Sequence, residues 1–197
     1  MSGRLFIFGL GYAGMAIARQ ARGAGWSVAG TATTVEKIRQ LATEGWAAQL
    51  FALPNVPASE AFAMATHLVC TIPPDERGDP VLQQYAGGFA RLTPRPLWLG
   101  YLSTTGVYGD TGGQWVDESA APRPGAARSR YRLAAEQAWQ ALAAQYDIPL
   151  HIFRLPAIYG PGRSAIEQML NVIKEGSTAE EAGRGGAPPT AMPRAVG

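Results

Sequence analysis

The sequence of 197 residues contains a single cysteine, Cys70, and so has no means of forming an internal disulfide. That scarcity fits a reducing, cytoplasmic setting. Histidine is nearly as scarce: His67 and His151 each open a strand-like run, and neither has a partner at metal-ligand spacing, so no metal site is expected. Charge is thin, with 16% charged residues and a net charge of +2. Without a dense block of lysine and arginine, nucleic acid is not an expected partner. No apolar stretch is long enough to span a bilayer, and the first residues carry no signal-peptide pattern, so neither is a membrane. Cys70 itself lies inside the apolar run His67-Leu68-Val69-Cys70-Thr71-Ile72 and reads as a small core residue.

What remains is a chain with 47% hydrophobic residues, enough for one globular core. Its organisation is an alternation. Strand-like runs fall at Leu5–Phe8, Ser27–Thr31, Ala47–Phe51, Leu68–Ile72, Leu97–Ser103 and Leu150–Arg154. Between them lie helix-like stretches at Ala13–Ala24, Val35–Glu44, Ser59–Ala65, Pro80–Leu92 and Ala126–Tyr146. Alternation of this kind predicts an α/β fold, a doubly wound parallel sheet of Rossmann type with strand order 3-2-1-4-5-6. From Gly176 onward glycine, alanine and proline dominate, and apolar periodicity disappears. Such a stretch cannot bury enough surface to offset its ordering entropy. The expected organisation is therefore a Rossmann-type domain over 1–163, a helix-like extension over 164–175 and a flexible tail over 176–197.

The first strand runs straight into Gly9-Leu10-Gly11-Tyr12-Ala13-Gly14, and a helix follows. Strand, G-x-G-x-x-G turn, helix is the phosphate-binding opening of a dinucleotide fold. Gly9 permits the tight turn, Gly11 lets backbone approach a diphosphate, and Gly14 lets the helix pack on the sheet. Tyr12 and Ala13 open the helix whose N-terminal amides favour an anion. The second strand ends in Thr31-Ala32-Thr33-Thr34 with no acid, where a selective NAD site would carry Asp or Glu. Thr31, Thr33 and Thr34, with Lys37 nearby, tolerate a 2′-phosphate better than a carboxylate does. The expected cofactor is therefore NADP in preference to NAD. These threonines equally suit a helix cap. Thr71 and Pro73, leaving the fourth strand, are expected to run under the ribose and diphosphate; Pro73-Pro74 also makes a rigid turn.

Two later segments complete the pattern. Ser103-Thr104-Thr105-Gly106-Val107-Tyr108-Gly109 places a cluster of hydroxyls at the end of the fifth strand, where each can donate to a substrate oxygen. Phe153-Arg154-Leu155-Pro156-Ala157-Ile158-Tyr159-Gly160-Pro161-Gly162 leaves the sixth, with Pro156 placed to line the nicotinamide end. Arg154 is either a ligand contact or one half of a buried ion pair.

GLGYAG, STTGVYG, the Ala-Ala-Glu-Gln helix stretch and RLPAIYGPG together resemble the extended, or atypical, short-chain dehydrogenase/reductase superfamily of the NAD-dependent epimerase/dehydratase type. The resemblance covers about Arg4 to Glu167. It implies that Thr104 is the active-site hydroxyl and that Ser103 lies beside the cofactor. It also implies a Tyr and a Lys four residues apart on the following helix. Here this chain departs: the positions align with Arg128 and Arg132. A guanidinium does not give up a proton near neutral pH, so Tyr131, about 60° around the helix from Arg128, is the proton-transfer candidate. Arg132 is expected to serve catalysis and the cofactor. Arg128 and Arg132, spaced i,i+4, either grip an anion together or form a solvated basic face. The substrate lobe of the extended class is expected to be largely missing.

These residues predict an NAD(P)-binding oxidoreductase or epimerase-like protein. The alternative is a non-catalytic NADP(H)-binding module, or an inactive shortened relative of a longer enzyme. Its partners would be the dinucleotide, an unknown small-molecule substrate and a second copy of the chain.

Overall fold

The computed structural model describes residues 3–51 and 59–164. Six strands are β1 (Arg4–Phe8), β2 (Ser27–Ala32), β3 (Ala47–Leu50), β4 (His67–Cys70), β5 (Trp98–Thr104) and β6 (Leu150–Leu155). Five helices join them: α1 (Tyr12–Gly23), α2 (Val35–Thr43), α3 (Glu60–Ala63), α4 (Pro80–Phe89) and α5 (Ala127–Tyr146). The strands form one sheet in the order β3-β2-β1-β4-β5-β6, and every pairing is parallel. This is the doubly wound order that the alternation predicts.

Because helices cover both faces of the central strand, β1 is apolar on both sides. Leu5 and Ile7 pack with Met15, Ala18 and Leu41 on the α1–α2 side. Phe6 and Phe8 pack with Phe62, Tyr85 and Trp139 on the α4–α5 side. Each such large side chain contributes roughly 1.5–3 kcal/mol on burial. The rings of Phe6, Phe8, Phe62 and Tyr85 meet edge-on at centroid distances of 5.0 to 5.6 Å, the arrangement their quadrupoles favour.

Helix ends follow local chemistry. Thr34 caps α2, its hydroxyl accepting from the Lys37 amide at 3.1 Å, so the cap reading of that threonine holds. Asp79 caps α4 by accepting from the Val81 and Leu82 amides, with Pro80 at the first helical position. β4 stops at Cys70, two residues before the expected end, because the Thr71 hydroxyl turns back to the carbonyls of Phe8 and Gly9. β5 runs one residue further than expected, to Thr104. There it winds into a 3-10 turn over Thr105–Tyr108 that the sequence pattern does not announce.

The chain divides into two compact units, Met1–Pro156 and Ala157–Gly197. In the second, Gly160 and Arg163 exchange backbone hydrogen bonds of 3.0 and 2.9 Å. Apart from Ser164, the expected extension and tail lie outside the described residues. No described helix is long and apolar enough to cross a membrane.

Candidate functional site

The parallel sheet brings the ends of β1, β2, β4, β5 and β6 to one edge. The glycine turn, Thr31, Thr71, Ser103 and Thr104 lie at that edge, and Tyr131 and Arg132 lie on the second turn of α5. At the centre of the edge is the glycine turn. Gly9 has φ +97°, open to glycine at little cost, and a Cβ there would lie 2.6 Å from the Thr71 hydroxyl and 2.9 Å from Ile72. A Cβ on Gly14 would overlap the Gly9 carbonyl oxygen, so the start of α1 sits directly against the turn. Gly11 is different: a Cβ there meets nothing within 4 Å. No side chain caps α1 at Gly11. A packed Gly9–Gly14 base under an open Gly11 is a cradle that fits a diphosphate approaching the helix N-terminus.

Hydroxyls hold this turn from two sides. Thr31 is fully buried, and its Oγ1 accepts from the Gly9 amide at 2.9 Å. Its carbonyl accepts from the Leu10 amide at 2.7 Å. Thr71 donates to the Gly9 carbonyl at 2.8 Å. Both threonines therefore shape the turn from behind. Thr33 and Pro73 are exposed on the same edge, and Thr34 is exposed while capping α2. Tyr12 and Ala13 open α1, and Pro156 is exposed just past β6.

The β5–β6 end is built from charge. Glu136 of α5 is 1% exposed. Its carboxylate accepts from Arg154 Nη2 at 2.8 Å and from Arg154 Nε at 3.2 and 3.3 Å, and it also accepts the Ser103 hydroxyl. Arg154 is thus the buried ion-pair partner of the two roles its position allows. The bond to Glu136 is the largest influence holding its guanidinium proton even more firmly than usual. Arg154 Nη1 donates to the Tyr108 hydroxyl at 2.9 Å. Ser103 therefore spends its proton inside the protein. Thr104, next in the chain, accepts from the Gly106 amide at 3.1 Å and keeps its own O–H to give.

On α5 the two arginines part. Arg128 is exposed. Arg132 turns inward and donates to the Leu102 carbonyl at 2.9 Å and to the Tyr101 hydroxyl at 3.3 Å. Burial pushes the Tyr101 phenol well above its ordinary range despite that guanidinium. Tyr131 is half-buried and close in sequence to this group, with no hydrogen bond to a cation among the described residues. Further back, Trp139 Nε1 donates to Asp79 at 2.9 Å, and burial raises the Asp79 carboxyl above the usual range.

Sequence reasoning gave no role to Glu136, Tyr108 or Asp79. A signal for Glu136 is present: it falls on the stripe Ala135, Trp139, Leu142 and Ala143 that α5 buries, and a carboxylate on an apolar face requires a buried cation. Asp79 before Pro80 is a helix-start signature.

Fold and turn together define a dinucleotide-fold protein of the Rossmann class. The model of the NAD dependent epimerase/dehydratase family matches residues 93–187. No curated protein matches the chain. Among solved structures, it is similar to a functionally unknown conserved protein from Silicibacter pomeroyi, with 40% identity and a TM-score of 0.72 over 83% of this chain and 56% of that one. UDP-glucuronic acid 4-epimerase from Bacillus cereus, solved with NAD, shares the fold at 17% identity and TM-score 0.61, over 79% of this chain and 57% of that one. A short-chain dehydrogenase/reductase superfamily protein from Agrobacterium tumefaciens with bound NAD shares it at 13% identity and TM-score 0.52, over 76% and 48%. The family model thus matches just under half of the chain, and the epimerase and short-chain dehydrogenase/reductase structures share its fold. The chain spans little more than half the length of the relatives it matches first.

Proposed function

We propose that this chain binds a nicotinamide dinucleotide and acts as an oxidoreductase or epimerase-like protein on a small carbonyl or sugar-like compound. The observation that carries this reading is the cradle: Gly9 and Gly14 are packed against each other while the space at Gly11 is open. The Gly11–Gly14 backbone would hold the diphosphate, and Thr31 and Thr71 would keep the turn in shape. When bound, the nicotinamide supplies the hydride chemistry.

At the ribose end, exposed Thr33 and Thr34 precede α2, and no carboxylate comes before Glu36. That supports NADP over NAD, because a 2′-phosphate meets hydroxyls rather than a like charge. At the reacting end, Thr104 would donate its O–H to the substrate oxygen, and Ser103, fixed by Glu136, would hold the strand end that carries it. The family alignment puts Arg128 at the tyrosine position, so Tyr131, about 60° around α5, is the sequence candidate for the proton, and Arg132 anchors α5 to the Leu102 carbonyl. A single buried thiol fits a cytoplasmic setting.

A second reading rests on Arg132. At the position of the family's lysine it faces inward, which favours a module that binds the dinucleotide without turning substrate over. One pair of measurements separates the two. NADPH and NADH are titrated against the chain by the fluorescence of its five tryptophans, and cofactor oxidation is followed with a panel of aldehydes and ketones. The enzyme reading expects tighter binding of NADPH. It also expects turnover that falls about 100-fold in Thr104→Ala, with NADPH affinity unchanged. Binding without turnover supports the module, and failure to bind either cofactor removes both readings.

A further inference from the structure

The chain lacks the usual tyrosine and lysine four apart, yet it holds another tyrosine against a cation. We propose that Tyr108, seated on Arg154, is the proton-transferring group of the reacting site, a proposal that rests on the oxidoreductase reading above. Tyr108 closes the 3-10 turn that begins one residue after Thr104. Its hydroxyl oxygen accepts from Arg154 Nη1 at 2.9 Å, and the guanidinium carbon lies 4.9 Å from its ring centre. Because the oxygen accepts that bond, its own proton is not consumed by it, and none of the described residues takes it. Tyr108 and Arg154 both line an open cleft of about 640 Å³ beside the end of β6, and Thr105 lines it too. Tyr108 is only 8% exposed.

Arg154 is fixed for this task. Glu136 grips it through Nε and Nη2, which leaves Nη1 for the phenol. The same carboxylate holds Ser103, the residue before Thr104. One buried network therefore sets the position of Thr104 on one side and of Tyr108 on the other. The other phenols lack this combination. Tyr101 touches Arg132 but is fully enclosed, and Tyr131 has no bond to a cation among the described residues.

In the reductive direction the carbonyl carbon receives a hydride and the C=O π bond breaks. Its electron pair stays on oxygen, and the oxygen takes the Tyr108 Oη proton. The phenolate left behind accepts from Arg154 and regains a proton from water in the cleft. In the oxidative direction the same transfers run backward.

The test uses the full chain with ring-13C tyrosine, whose seven signals are assigned by Tyr108→Phe and Tyr131→Phe. NADP and then 2,2,2-trifluoroacetophenone are added, a pairing of oxidised cofactor with a ketone that cannot turn over. The Tyr108 signal is expected to move with the ketone, and the Tyr131 signal to stay. In the turnover assay Tyr108→Phe is expected to lose at least about 100-fold with NADPH affinity and melting temperature unchanged, and to lose at least about tenfold more than Tyr131→Phe. Arg154→Lys, which keeps a cation, is expected to retain more turnover than Arg154→Met. A Tyr108 signal indifferent to the ketone, or turnover that survives Tyr108→Phe, overturns the proposal. A parent chain that binds neither cofactor fails the underlying reading instead, which the fluorescence titration reports separately.

Discussion

The two ends of the carboxyl edge are built from opposite materials. Around β1 the turn is set by glycine and neutral hydroxyls: Thr31 and Thr71 hold Gly9, and Gly14 closes against it. Around β5 and β6 the framework is a buried ion pair, Glu136 with Arg154, and its neighbours Ser103 and Tyr108. A neutral turn can leave its amides open to an anion with no competing charge nearby. A buried charge pair must be fully satisfied, because an unpaired member costs several kcal/mol, and so it fixes the elements it joins. On the proposed reading, one end receives phosphate and the other holds reacting groups still.

Substitutions at each end break this contrast in different ways. The largest effect is expected from Gly14→Ala, whose Cβ would overlap the Gly9 carbonyl oxygen. Urea unfolding should show a loss of about 4 kcal/mol or failure to fold, because the clash is with backbone. At the charged end, Glu136→Ala leaves the Arg154 guanidinium largely buried without its carboxylate, and the loss should be about 3 kcal/mol. Glu136→Gln, which can still accept hydrogen bonds, should cost less in the same unfolding assay.

Gly11→Ala sharpens the comparison within the turn itself. Its φ of −83° suits alanine, and the added methyl meets no protein atom within 4 Å. Stability should change by less than about 1 kcal/mol, while NADPH affinity in the fluorescence titration should drop about tenfold or more. A parallel loss of both would mean that Gly11 serves the fold and not a ligand.

The smallest effect concerns Asp79, which lies behind the charged end. Burial raises its carboxyl in the folded chain, so the folded state binds this proton more tightly than the unfolded one. Its contribution is full below the ordinary carboxylate value and is lost as pH rises through the raised one. Unfolding free energy measured from about pH 4 upward should carry this downward component, and Asp79→Asn should remove it while keeping the α4 cap.

Much of the neutral end was legible because its chemistry is local. A strand, three spaced glycines and a helix lie within about twenty consecutive residues, and each glycine's role follows from backbone geometry. What stayed hidden there was which face of Thr31 and Thr71 mattered. Both were expected beside a ligand, and their hydroxyls turn to the main chain instead. The charged end was barely legible, because Ser103, Glu136 and Arg154 are separated by long stretches of chain. Arg154 was suspected of an ion pair without a partner being named. Glu136 was seen only as part of a helix stretch. The inward turn of Arg132 depends on where α5 crosses β5, which no spacing records.

By itself, the sequence determined the strand and helix order, the parallel sheet and the glycine turn, because periodicity and backbone permissiveness act within a few neighbouring residues. Only tertiary structure decided which hydroxyls face inward, which carboxylate Arg154 meets and which phenol that arginine holds. Those contacts are made by side chains that adjoin only once α5 is laid across the β5–β6 pair, and no local rule of chain geometry specifies that meeting.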